Sequence, residues 1–363
     1  GAIYIEGDLR IVGNENVIFE NNYEIKTTNN YFRLRSIYQK KGYFTLAAKT
    51  GGNIIFYDSV HGSSAYGISF NDKYQDSEGN TQKATGNIIF SGKYTEEHLN
   101  KIIANEYKDT NRTATETQIR NSQTSTFGGK INLYGGSLQI IEGAILQSNG
   151  ITVVDNSNAT LKISEGELDT ENNDIIVGKS NRLELEKDAL ISANKITIAD
   201  SAILSVTSAN TDVVELSLYT LSSLESYVPS VYGTTIGGTI SGNLTLEAGS
   251  SYIADRANIS LNGNSLYLNA TNGNKIALTL HAINSPSNKV ILFSNVGKVN
   301  FDSDILANNY FTGNWINDET TLVYDSEKQV VYLENVNDVI PEPTTTTLSL
   351  LALAALATRR RRK

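Results

Sequence analysis

Short apolar runs of roughly four to six residues recur about every ten to twelve residues along this chain, each flanked by Gly, Asn, Asp or Ser, as strands separated by turns should be. Helical periodicity is almost missing. Asn16–Phe19 (NVIF), 52–57 (GNIIFY), 86–90 (GNIIF), 129–133 (GKINL) and Ser137–Ile141 (SLQII) are examples, followed by runs at 151–154, 160–163, 182–185, 195–198 and 203–206. Alternation within such runs places Ile, Leu and Val on one face and Ser, Thr and Asn on the other. Between 129 and 206 two consecutive runs make about one turn of a stack, and a repeat of that length cannot bury its apolar face alone. The pattern predicts an all-β chain, a right-handed parallel β-helix (solenoid), although the same alternation also fits a β-sandwich or a propeller.

One segment departs from the pattern. Residues 94–108 (YTEEHLNKIIANEYK) carry Leu99, Ile102, Ile103 and Tyr107 at helical spacing, with Glu96 and Glu97 in the first turn, and Thr95 is the expected N-cap. A helix over 95–108, packed on the stack, is predicted, followed by a mobile polar loop over 109–126. Residues 217–235, rich in Ser, Tyr and Leu and holding Pro229, read as a linker or an irregular turn of the stack. Residues 1–211 are therefore expected to form one β-helical body. A β-rich continuation or second unit is expected over 212–338, with Leu244, Leu246, Ile259, Leu261, Leu266 and Leu268 pointing inward.

The chain has no cysteine, which excludes disulfides, thiolate metal sites and a cysteine nucleophile. It also has no methionine, so the reading frame is expected to begin upstream of Gly1, and the lack of a signal peptide here carries no message about location. The net charge of −9 includes five cations in the last five residues, which leaves the body near −14. An acidic body repels phosphate backbones, so nucleic acid is not an expected partner.

The C-terminus carries the sharpest motif. Pro341, Glu342 and Pro343 are followed by four threonines, an apolar run from 348 to 357 containing Leu348, Leu350, Leu351, Leu353 and Leu356, and then Arg359, Arg360, Arg361, Arg362 and Lys363. The prolines hold the backbone extended and accessible. The apolar run with its flanking threonines is shorter than the ~20 residues of a stable membrane span, so a short hydrophobic helix acting as a temporary anchor is expected. The basic cluster should stay on the cytoplasmic side and leave the body outside.

Over 339–363 this order of elements closely resembles the PEP-CTERM sorting signal of Gram-negative bacteria. The resemblance implies a membrane-embedded exosortase that cuts near 341–343, transient residence of the tail in the inner membrane, and a mature protein at the cell surface or outer membrane. At the other end, Gly1, Ala2 and Ile3 with Phe19 and Asn22 resemble the paired Gly-Gly-Ala-Ile and Phe-x-x-Asn repeats of chlamydial polymorphic membrane proteins. In such a pair Gly permits close packing, Phe fills the interior and Asn hydrogen-bonds along a ladder of turns. Residues 44–59, 85–97 and 130–170 resemble the middle region of the same autotransporter-like passengers, the likeness extending over 1–212. Those proteins end in a transmembrane β-barrel, and this sequence has no matching set of strands; the resemblance therefore implies the β-helix and the surface role, not autotransport.

Candidates for chemistry are sparse. Parallel β-helices also host polysaccharide-active enzymes, which need converging carboxylates; Asp169, Glu171, Asp174, Asp200 and Asp212 each sit in turn-like stretches that explain them without catalysis. His61, His98 and His281 lack metal-ligand spacing. The pairs at Gly51-Gly52, Gly128-Gly129 and Gly135-Gly136 form no phosphate loop and read as corners of the stack. Tyr31, Phe32, Tyr38, Tyr43 and Phe44 read as an inward aromatic layer, with a glycan-binding platform as the alternative. No catalytic residue, metal or cofactor is expected. The expectation is an exported structural or adhesin-like surface protein with a host or matrix glycan or protein as partner, and the alternative is a surface-sorted polysaccharide-active enzyme.

Overall fold

The computed structural model describes residues 3–26, 31–63, 67–207, 235–255, 257–271, 273–281, 289–313 and 315–336. The chain is all-β with large, mostly parallel sheets. Its strands form three parallel ladders that the chain visits in a fixed cyclic order. Ile145–Ser148, Ile151–Val153 and Thr160–Ser164 belong to the first, second and third ladder; Glu167–Asp169, Ile175–Val177 and Arg182–Glu186 lie against them in the same order. Each circuit therefore uses three strands where the sequence suggests two. The additional strand is short and mixed, ILQS in one circuit and ELD in the next, so it presents no apolar run to read.

The core lies where the three ladders face inward. In the third ladder Leu138, Leu161, Leu183 and Leu204 stand side by side in register, and Tyr252 and Leu278 continue the row. All six are buried, each worth roughly 1.5–3 kcal/mol for removal from water. A second row begins with Phe19, Phe56 and Phe90, whose rings stack at 4.7 and 5.1 Å. Phe127 meets Phe44, Phe70 and Phe90 edge-on at 5.2, 5.5 and 6.0 Å, which closes an aromatic layer early in the stack.

The ladders run past residues 208–234, because Thr235–Glu247 pairs in parallel with Ala189–Ile198. Leu244, Leu246, Ile259, Leu261, Leu266 and Leu268 are all buried, as the alternation predicts. The last strands change direction: Thr321–Asp325 and Val330–Glu334 form an antiparallel hairpin whose second strand pairs antiparallel with Lys289–Ser294.

Two helices enter between the third and first ladders. Helix α1 spans Thr95–Tyr107, but Tyr94 holds the N-cap position and Thr95 is a buried first-turn residue whose hydroxyl makes no cap. The polar stretch expected as a loop contains a second helix, α2, over Glu116–Gln123, and then the first-ladder strand Thr124–Phe127. A capping box explains it: the Thr115 hydroxyl accepts from the Gln118 backbone N–H while the Gln118 side chain accepts from the Thr115 N–H. This pair compensates for low apolar content, and Ile119 supplies the one large apolar anchor.

Candidate functional site

The strand Tyr31–Gln39 positions a cluster of charged and polar side chains, Arg33, Arg35 and Ser36 among them. It pairs in parallel with Ser59–Gly62, and its register slips between Arg35 and Ile37. The bulge changes which face is buried. Before it, Phe32 and Leu34 point toward α1 and α2 and form a small separate core with Leu99 and Ile103; after it, Ile37 enters the main core. Upstream, Tyr31–Gln39 turns back into an antiparallel hairpin with Tyr23–Lys26.

Asp58 lies beneath this hairpin, 2% exposed. One carboxylate oxygen accepts from the Asn22 backbone N–H at 2.8 Å, the Asn22 amide at 3.1 Å and the Ser36 hydroxyl at 3.1 Å. The other oxygen is buried without a protein hydrogen-bond partner, as is Nδ1 of His98. Burial pushes the Asp58 carboxyl above the usual carboxylate range, against the pull of the Asn22 and Ser36 bonds. Around it, Arg33 donates to the Ser59 hydroxyl at 3.3 Å and to the Thr124 carbonyl at 2.9 Å, and Arg35 pairs with Glu24 at 3.0 Å. Ser122 of α2 accepts from the Leu34 backbone N–H at 3.0 Å, so the helix insertion is bonded to the hairpin as well as packed on it.

The raised Asp58 value has a definite consequence for stability. A carboxyl that titrates higher folded than unfolded stabilises the fold fully below its ordinary value near 3.9, and this contribution is lost as pH rises through the folded value. Asp58→Asn keeps an acceptor for Asn22 and Ser36 and removes the buried charge. Urea unfolding at pH 7 should show the variant equal to or more stable than the parent, and the parent should recover relative to it at pH 4. A variant less stable at pH 7 than at pH 4, relative to the parent, would reverse the sign and refute the assignment.

On the outer side of the hairpin lies a groove of ≈ 500 Å³ lined by Ile3, Tyr4, Tyr23, Glu24, Arg35, Tyr38 and Lys40. Tyr38 is stacked between Tyr4 at 5.6 Å and His61 at 4.8 Å. The Arg35 guanidinium lies 5.2 Å from the Tyr38 ring centre. Lys40 pairs with Glu6 at 3.0 Å, and the Tyr4 hydroxyl donates to Glu6 at 2.7 Å. Burial and the neighbouring Arg35 and Arg33 charges push His61 down, toward its neutral form.

The expected aromatic layer is therefore divided. Phe44 is in the main core and Phe32 in the helix-side core, whereas Tyr43 is 56% exposed and Tyr38 stacks on the outer face. Tyrosine carries a hydroxyl that phenylalanine lacks, so the phenylalanines take the dry positions. Of the repeat residues, Gly1 and Ala2 lie outside the described residues, Ile3 opens the first ladder, Phe19 stacks on Phe56, and Asn22 bonds to Asp58. The amide ladder expected at Asn22 is found instead along Asn16, Asn53, Asn87 and Ser137, in steps of 2.7 Å.

Pro341, Glu342 and Pro343, the leucines of the apolar run, the terminal basic cluster, and Asp212 all lie outside the described residues. No described helix is long and apolar enough to cross a membrane. The candidate acids do not converge: Asp169 accepts from the Glu171 N–H at 2.9 Å, Asp174 from the Asn194 amide at 2.8 Å, and Asp200 pairs with Lys179 at 3.4 Å. His61, His98 and His281 fall on the first ladder, α1 and the third ladder, and no cluster of three or more His, Asp or Glu able to hold a metal ion occurs among the described residues. The Asp58 network is absent from the sequence reading; its only signals are a carboxylate directly after the apolar run NIIFY and the alternation Arg33-x-Arg35 in a strand.

Fold and site together define an all-β protein of mostly parallel sheets with a charged, aromatic-walled groove on its flank. Comparison with known proteins finds no matching family model, no matching curated protein and no matching solved structure.

Proposed function

We propose that this chain is an exported cell-surface protein of a Gram-negative bacterium, structural or adhesin-like, whose body is a right-handed parallel β-helix and whose residues 339–363 are a PEP-CTERM type signal cut by an exosortase. The observation that carries the body is the cyclic visiting of three parallel ladders, which a chain achieves by coiling; the right hand follows from the near-universal handedness of parallel crossovers. Such a body is long, acidic on its surface and free of thiols, properties suited to a protein displayed outside the cell. The tail rests on its sequence order of Pro-Glu-Pro, short hydrophobic run and basic cluster, the last holding to the inner membrane at roughly 1 kcal/mol per cation.

Expression in a Gram-negative host with an exosortase, followed by mass measurement of the surface protein, tests the reading. The mature C-terminus should fall near Pro341, and replacement of Pro341, Glu342 and Pro343 by alanine should leave the protein uncut in the inner membrane. An intact Lys363 on surface-displayed protein would overturn the proposal.

A further inference from the structure

The groove beside the Asp58 network has features that select a ligand class. Tyr38 has Tyr4 on one side and His61 on the other, so its faces are occupied. Among the described residues Tyr4 is the last ring of this stack, 61% exposed, and Tyr23, which also lines the groove, is 51% exposed. Both tyrosines thus hold large apolar ring surface in water at the wall of a concavity whose size is ordinary for a small-molecule or oligomer site. Elsewhere in the aromatic layer, Phe44, Phe56, Phe70, Phe90 and Phe127 are fully buried.

The polar groups of the groove come as matched charges. Arg35 pairs with Glu24 within the lining, and Lys40 pairs with Glu6 outside it, each at 3.0 Å, so both lining cations are matched by a carboxylate and donors and acceptors stand side by side. A phosphate or a polyanion would have to displace a carboxylate to reach either cation, and a cation would have to displace Arg35 or Lys40. A purely apolar ligand would leave two ion pairs and two phenol hydroxyls desolvated. Vicinal hydroxyls accept from a guanidinium and donate to a carboxylate at once, while the C–H face of a pyranose ring covers an aromatic face.

We propose that this groove is a binding site for a neutral glycan, with sugar rings seated on Tyr4 and Tyr23 and ring hydroxyls bonded to the Arg35–Glu24 and Lys40–Glu6 pairs. The inference supplies a ligand class for the adhesin-like reading and rests on that reading only for its biological setting. Its test uses the purified chain, so failed binding leaves the sorting proposal standing and failed processing leaves the groove standing.

Neutral hexasaccharides of glucose, mannose and N-acetylglucosamine, with heparin as a polyanionic probe, are titrated against the full chain by saturation-transfer NMR and calorimetry. At least one neutral hexasaccharide should bind. Y4A and Y23A should each weaken it about tenfold, and Y23F should bind as the parent does because the ring face is kept. Both alanine sites are exposed, and unchanged circular dichroism and melting will show that the fold is intact. Failure of every neutral hexasaccharide, affinity unchanged in Y4A and Y23A, loss of binding in Y23F equal to that in Y23A, or preference for heparin would each overturn the proposal.

Discussion

Phe127→Ala should destabilise the protein by about 3–5 kcal/mol, the usual cost of a large aromatic truncated in a core that cannot collapse. The ring is 1% exposed and touches Phe44, Phe70 and Phe90 on three sides. Its Cδ1 atom would lie 2.8 Å from a Cβ placed on Gly62, so the layer has been built around the ring on the fourth side too. Rigid parallel ladders on all sides resist filling the gap. Denaturant unfolding of Phe127→Ala beside Tyr43→Ala, a change at a 56% exposed position, measures the difference. A loss below 1 kcal/mol for Phe127→Ala would mean that the aromatic layer is not packed as described.

Gly136→Ala should be the second severe change, by about 2–5 kcal/mol from the left-handed backbone and steric overlap together. Gly136 has φ of +56°, and a Cβ there would lie 2.0 Å from the Gly86 carbonyl oxygen. That carbonyl is already committed, accepting from the Ser137 N–H at 3.1 Å and from the buried Asn71 amide at 2.8 Å. The overlap can be relieved only by separating strands Asn87–Ser91 and Ser137–Ile141 where their pairing starts. Gly79→Ala is the control: its φ is +83°, but nothing lies within 4 Å of its added Cβ, so it pays only the backbone cost of about 1–2 kcal/mol. Equal melting temperatures for the two variants would remove the steric part of the argument.

The strands were legible wherever burial and alternation coincide. Leu138 and Ile140, Leu161 and Ile163, and Leu244 and Leu246 carry the period of two because one face of each strand is interior. The first ladder was harder to read because its short strands mix polar residues into inward positions, as Ser148 does opposite Phe127. The loop expected over 109–126 hid α2 because a capping box is a two-residue signal, invisible to a count of apolar residues. The candidate site was least legible. Asp58, Asn22 and Ser36 are separated along the chain and meet only where the hairpin folds back beside the bulge at Arg35 to Ile37. The tyrosines were visible as a group, yet which of them face water is settled by tertiary packing around that same hairpin.

The antiparallel hairpin of Thr321–Asp325 and Val330–Glu334 has a consequence for self-association. Lys289–Ser294 is covered by it, and the neighbouring ladders finish in the two-residue strands Lys298–Val299 and Phe311–Thr312. Edges so short or so occupied are poor templates for another strand. Polymerisation by stacking one molecule on the next needs two complementary edges, one at each end, and this end withholds its half. Among the described residues, the hairpin thereby makes this end of the ladders a poor site for head-to-tail growth of one copy on another.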